Sequence, residues 1–307
     1  MKKIASALFF LFFFVNSIYA QDLKIFDISD SNEKVVFISL SDIYPSSEKP
    51  DLAVIPDDKR NLEHVLLDSK FRKQFLSVTK ISETDKVFLY DYAKNKLASF
   101  TVKKLNAVAN LSIYETGSEP PHSQYDYQIG FEIDKKLLKE FGDFSNQILV
   151  YVGKENPFAQ EQMTPITWKK ITAKEYPSRK IKDEFGALPK KYDVGDSYSF
   201  KFQNFEYFIQ NFFRDKSIFA RRLLVQDTKT KAIIYEEIFS EGESDSLTPL
   251  NFVNKEEGNT LNQWTGKLFK NKEPVIFGFE YHSFGCGYIT VLSKKPTQVD
   301  IYCDNRH

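Results

Sequence analysis

The chain has 307 residues, with 42 basic and 42 acidic side chains, 29 Phe and 16 Tyr. A balanced charge gives no general attraction for nucleic acid or for an anionic membrane surface. So aromatic a sequence has ample apolar surface to bury, which excludes a disordered chain and predicts a globular one of one or two domains.

The first residues read MKKIASALFFLFFFVNSIYAQ. Lys2 and Lys3 precede an apolar run from Ala5 to Val15, and Ser17-Ile18-Tyr19-Ala20 offers a cleavage site before Gln21. The run is the length of a signal-peptide core and is shorter than the roughly 20 apolar residues of a spanning helix. Residues 1–20 are therefore expected to be a signal peptide of a bacterial exported protein, destined for the periplasm or the outside of the cell. The lysines of this segment are its only charges, so the remainder is about two charges negative. No later stretch is apolar for long enough to cross a membrane as a helix. A polar ending, Cys303-Asp304-Asn305-Arg306-His307, argues against an outer-membrane barrel.

Lys34–Leu40 reads as the first strong strand. After Pro45, Pro50 and Pro56, Asp57 or Asp58 is expected to cap a helix near 57–78. Leu62, Val65, Leu66 and Ser69 share one of its faces, Phe71, Phe75 and Leu76 continue it, and Asp68-Ser69 marks a possible restart. His64 reads as a solvated residue of this helix. Lys86–Asp91 and Leu97–Val102 form a hairpin around Tyr92–Lys96, with Val108–Tyr114 expected to add a strand. His122 falls in the loop Gly117–Ser123 and is expected on the surface. Strands follow at Tyr127–Ile133, Gln147–Val152 and Ile166–Ile171, with a short helix capped by Asp134 among them.

Residues 176–196, with Pro177, Pro189, Gly186 and Gly195 and few apolar side chains, read as a linker between a domain at 21–175 and another at 197–307. In the second, Phe205, Phe208, Ile209, Phe212 and Phe213 match helical spacing after Asn204, with a buried strand as the rival. A second hairpin, Ile218–Gln226 and Ala232–Phe239, turns at Asp227-Thr-Lys-Thr-Lys231 and echoes Asp91-Tyr-Ala-Lys-Asn-Lys96. The echo is short and no fixed period recurs, which disfavours a propeller. Strands at Trp264–Phe269, Pro274–Tyr281, Gly287–Leu292 and Gln298–Cys303 close the chain. The expected fold is β-rich α+β, mostly antiparallel sheets in sandwich-like layers with a few short helices; the alternative is all-β.

No Gly-x-Ser-x-Gly elbow, phosphate loop, zinc-protease helix or dinucleotide fingerprint occurs. The acidic run Glu236, Glu237, Glu241, Glu243 and Asp245 lacks the spacing and glycine of a calcium loop and reads as a solvated strand end and loop. One constellation stands out: His282, Cys286, Cys303 and His307, each His separated from its Cys by three residues. Export and an even cysteine count favour a Cys286–Cys303 disulfide. With the turn centred near Lys295, residue 288 would face residue 303. The two cysteines would then share a face diagonally, with a bulge at Gly285 or Gly287 bringing them together. A zinc site of all four residues is the alternative, though without the tight Cys-x-x-Cys knuckle. A cysteine nucleophile is a third reading, but Cys286 lies between glycines among strands and not at a helix start. No cofactor is implied.

The expected function is a non-catalytic binding or structural module of the cell envelope, with a glycan or another envelope protein as partner. The alternatives are an exported hydrolase of glycan or peptide and a subunit of an envelope complex.

Overall fold

A computed structural model describes residues 23–44, 52, 55–142, 147–179, 192–253 and 261–303. The expected signal peptide 1–20, residues 180–191 of the expected linker, and His307 lie outside them. Among the described residues the protein is β-rich, with one α-helix and several short 3₁₀ turns. No described helix is long and apolar enough to cross a membrane.

The amino-terminal sheet has five strands in the spatial order Ser29–Asp30, Val35–Ser39, Tyr127–Asp134, Asn106–Leu111, His64–Leu66, all antiparallel. The helix spans Ser69–Thr79. It begins at Asp68, whose carboxylate accepts from the backbone N–H groups of Lys70 and Phe71 at 2.9 and 3.1 Å, satisfying donors that have no partner within the helix. Its cap therefore lies ten residues later than Asp58. Residues 64–66, expected to be helical, form an edge strand that pairs His64 with Asn110 and Leu66 with Val108. Arg72 fastens the helix by a two-pronged contact with Glu83 at 2.7 and 2.9 Å and by donation to the carbonyls of Val102 and Leu105. Asp134 does cap the next turn, but as a 3₁₀ segment, Lys135–Leu138.

A five-stranded meander forms the other flank: Lys169–Ile171, Asp193–Phe202, Phe205–Arg214, Ser217–Asp227 and Ile233–Ser240. Residues 205–214 are thus a strand, against the helical expectation. The reason is burial on both faces. Tyr207 and Ile209 pack inward on Leu223 and Val225. Phe208 contacts Tyr176 and Leu224, and Phe212 contacts Phe219 and Ala220. Apolar residues drawn from both faces of a strand reproduce helical spacing by accident.

Between these flanks runs a nine-stranded sheet, in the order Thr164–Pro165, Trp264–Gly266, Val275–Phe277, Tyr288–Val291, Thr297–Tyr302, Ile25–Phe26, Ile148–Gly153, Lys86–Asp91, Lys96–Thr101. All its pairings are antiparallel except that of Ile25–Phe26 with Ile301–Tyr302. It contains strands from both sides of residues 176–196, so the hydrogen bonding of this sheet crosses the expected division. Its strand Lys86–Asp91 is covered on both faces. Val87 and Leu89 join the core beneath the helix with Phe75 and Phe131, while Phe88 and Tyr90 join Phe158, Trp264 and Phe269. Further along, Ile276 and Leu292 pack on the meander. The result is layered and sandwich-like. A small two-stranded ribbon, Asp245–Leu247 with Glu280–His282, sits beside the meander.

Candidate functional site

The closing hairpin pairs Tyr288 with Asp300 and Val291 with Thr297, so residue 288 does not face residue 303. Regular pairing within the hairpin ends at Tyr288 and Asp300, and just beyond it the Ile301 N–H donates to the Gly287 carbonyl. Beyond it Cys286 and Cys303 are joined by a disulfide, with Cα atoms 5.6 Å apart. Gly285 permits this departure from the ladder. Its φ is +124°, and space around its missing Cβ is open, so backbone conformation and not crowding calls for glycine. With both sulfurs bonded to each other, neither supplies a thiolate to a metal or to an electrophile. The second nitrogen ligand of the zinc reading, His307, is outside the described residues.

His282 has a different partner from the cysteine. In the ribbon it stands directly opposite Asp245, and its Nδ1 lies 2.5 Å from Asp245 Oδ1. The Ser244 hydroxyl donates to the other oxygen at 3.0 Å. These contacts, led by the His282 hydrogen bond, hold the Asp245 carboxyl below its usual range. The His282 ring is 6.2 Å from that of Tyr288.

Around this pair lie two carboxyls with the opposite tendency. Glu280 shares a ribbon face with His282, and burial pushes its pKa up, with Asp245 and Glu237 adding to the rise. Glu237 is also pushed up by burial. It accepts a hydrogen bond from the Tyr235 hydroxyl at 3.2 Å, and Thr290 Oγ1 lies 3.4 Å from the same hydroxyl. The phenols of Tyr235 and Tyr288 are raised by burial, and Glu237 lies close enough to add to both.

Of these groups Tyr235, Glu280, His282 and Tyr288 border a cleft of about 520 Å³ whose walls also include Tyr92, Tyr114, Tyr281 and the disulfide. Gly278 shapes its floor: φ is +88°, and a Cβ there would come within 2.0 Å of the Asn262 carbonyl oxygen. An adjoining cleft of about 570 Å³ is lined by the amino-terminal sheet and includes Asp30, Glu63 and His64. Asp27, Tyr114 and Cys303 border both. Asp27 follows the strand Ile25–Phe26, and its N–H donates to Tyr302 at 2.9 Å, beside the disulfide. Protein atoms crowd its carboxyl enough for desolvation to lift it to about 6, while part of its surface opens to solvent.

Two histidines are not where the sequence places them. His64 is exposed, as expected, but on an edge strand and not a helix, with Nε2 2.9 Å from Glu132. His122 is buried, with Nδ1 3.2 Å from the Ser118 hydroxyl and its ring against Tyr127. The acidic run is only in part the solvated strand end and loop expected: Glu241 and Glu243 are exposed beyond the strand, but the other three are engaged. Glu236 is buried against Arg222, Glu237 accepts from the Tyr235 hydroxyl, and Asp245 holds His282. No group of three or more metal-ligating side chains occurs among the described residues. Sequence reasoning missed Asp27, Glu280, Tyr281 and Tyr288. The alternation Glu280-Tyr281-His282 contained a signal, since it sets an acid and a histidine on one face and an exposed ring on the other.

No protein-family model matches this chain, no curated protein matches it in sequence, and no solved structure matches its fold.

Proposed function

We propose that this protein is an exported, non-catalytic binding module of the cell envelope that holds its ligand in the adjoining clefts beside the disulfide. The observation that carries the reading is the pair of clefts bordered jointly by Asp27, Tyr114 and Cys303, with Tyr114 63% and Tyr281 66% exposed on their walls. Large rings left open next to convergent polar groups are the usual composition of a recognition surface. The leader sequence and the disulfide support export. Nuclear magnetic resonance of the mature chain, titrated with oligosaccharides and peptides prepared from cell envelopes, tests the reading. The backbone signals of residues 280–288 are expected to move, and Tyr281→Ala is expected to weaken the response severalfold without lowering the melting temperature. Signals that move only elsewhere on the molecule, or none at all, would overturn it.

A second reading, an exported hydrolase, draws on one specific feature. Glu237 and Glu280 hold their protons more tightly than ordinary carboxyls, as a general acid must near neutral pH. Release of reducing ends or amines from envelope polymers, abolished in Glu280→Gln, would favour it over the binding module.

A further inference from the structure

The two clefts differ from the rest of the chain in charge. Basic and acidic residues are equal in number overall, at 42 each, yet among the described residues no lysine or arginine lines either cleft. Carboxyls do: Asp27 and Glu280 in the first, with Asp30 and Glu63 added in the second. Asp30 is met by Lys135 at 2.9 Å. Asp27, Glu63 and Glu280 have no ion pair with lysine or arginine among the described residues.

The other contribution comes from rings. The exposed side chains of Tyr114 and Tyr281 stand on the walls of the same cleft. A ring face attracts a cation, and a partly desolvated carboxylate gains more from a positive partner than one in open water. A bare metal ion is a poor match, because it needs several oxygens converging on one point. An ammonium or guanidinium on an apolar stem uses both features, with its head at a carboxylate and its stem along a ring. Two adjoining clefts of about 520 and 570 Å³ exceed what one such side chain fills.

We infer that the adjoining clefts bind an extended peptide segment bearing lysine or arginine side chains, with cationic heads against Glu280 and Asp27 and an apolar stem on Tyr281. This rests on the reading of the clefts as the binding site and names the ligand chemistry.

The test uses the mature chain and three fluorescent peptides of equal length, one rich in lysine and arginine, one rich in glutamate and one uncharged, followed by anisotropy. The basic peptide alone is expected to bind, and more weakly as salt is raised. Glu280→Gln and Asp27→Asn are each expected to weaken it about tenfold, the order of one hydrogen-bonded charge contact. Both variants keep an acceptor for the Ser240 and Ile28 N–H groups that the native carboxylates bind at 3.1 and 2.8 Å, so the fold is preserved. Equal binding of the uncharged or acidic peptide would overturn the inference, as would basic-peptide binding indifferent to both variants. A neutral oligosaccharide that moves the signals of residues 280–288, with no response to the basic peptide, would overturn it and leave the binding module standing. Silence toward every ligand would overturn both.

Discussion

Glu236 and Glu237 are neighbours on the strand Ile233–Ser240, and the pleat sends them to opposite faces of the meander. On the outer side, Arg222 Nη2 approaches Glu236 Oε1 at 2.5 Å, and Arg179 Nε stands 3.1 Å from the other oxygen, at ion-pair range but off the hydrogen-bond direction. The side chains of Arg222 and Glu236 are only 4% and 3% exposed. On the inner side, Glu237 has a tyrosine hydroxyl and no ion pair among the described residues, and burial raises its pKa. One face closes its charge with fixed cations; the other meets its carboxyl with a hydroxyl and leaves it to be neutralised by a proton. Adjacent residues of one type thus separate a buried ion pair from a half-buried carboxyl whose charge is opposed.

Breaking the closed side is expected to have the largest effect. Arg222→Met leaves Glu236 buried with only the more distant Arg179 and should cost about 3 kcal/mol in urea unfolding, the lower end for a broken buried pair. The double variant Arg222→Met/Glu236→Leu should recover most of that, because apolar replacements of a whole buried pair are often near neutral. A single variant as stable as the native protein would show that the outer pair does not hold the meander. Neither change should alter ligand binding in the clefts.

The disulfide sits on the open side and is expected to behave differently. It joins residues 17 apart, and in the chain-entropy view its loss costs roughly 3 kcal/mol. Cys286→Ser/Cys303→Ser should lower the urea midpoint to that extent. Because both cysteines border the first cleft, the variant should also weaken the basic-peptide binding expected there. Loss of stability with unchanged binding would make the bridge a fastening of the hairpin alone.

The fold was legible where local chemistry decides structure. Both expected hairpins formed, and the echo between their turns has a physical basis. Asp91 accepts from the Lys94 N–H, and Asp227 accepts from those of Lys229 and Thr230, while Asn95 and Lys231 close the turns at positive φ. The echo reports turn chemistry and not a repeat. Legibility failed where tertiary contacts override periodicity. Leu62, Val65 and Leu66 offered a helical face, but the Asp68 cap starts the helix later and leaves 64–66 to an edge strand. Phe205–Phe213 imitated a helix because both faces of that strand are buried. At the site, the cysteine pairing was visible and its register was not, since the ladder ends before the bridge. The carboxyl of Glu280 accepts from Ser240, forty residues away, and Asp27 and Glu280 meet at one cleft from opposite ends of the chain, which no local pattern in the sequence could reveal.

The smallest expected effect carries the opposite sign and distinguishes the two glutamates most directly. An unfolded chain titrates Glu237 near 4.5, and the folded one does so at a higher pH. Between those values the folded state holds a proton that the unfolded state has released, so stability falls as pH rises through this window and then levels off. Asp27 acts in the same direction between 3.8 and about 6. Glu237→Gln cannot acquire the charge, yet it keeps an acceptor for the Tyr235 hydroxyl. It should therefore be more stable than the native protein at pH 7, and the gain should shrink toward pH 4 as Glu237 becomes protonated in both states. Glu236→Gln removes a paired charge and should destabilise at pH 7 instead. Thermal melts of the two variants from pH 4 to 7 give the comparison. If Glu237→Gln destabilises at pH 7 as its neighbour does, the inner carboxyl is as fully satisfied as the outer one.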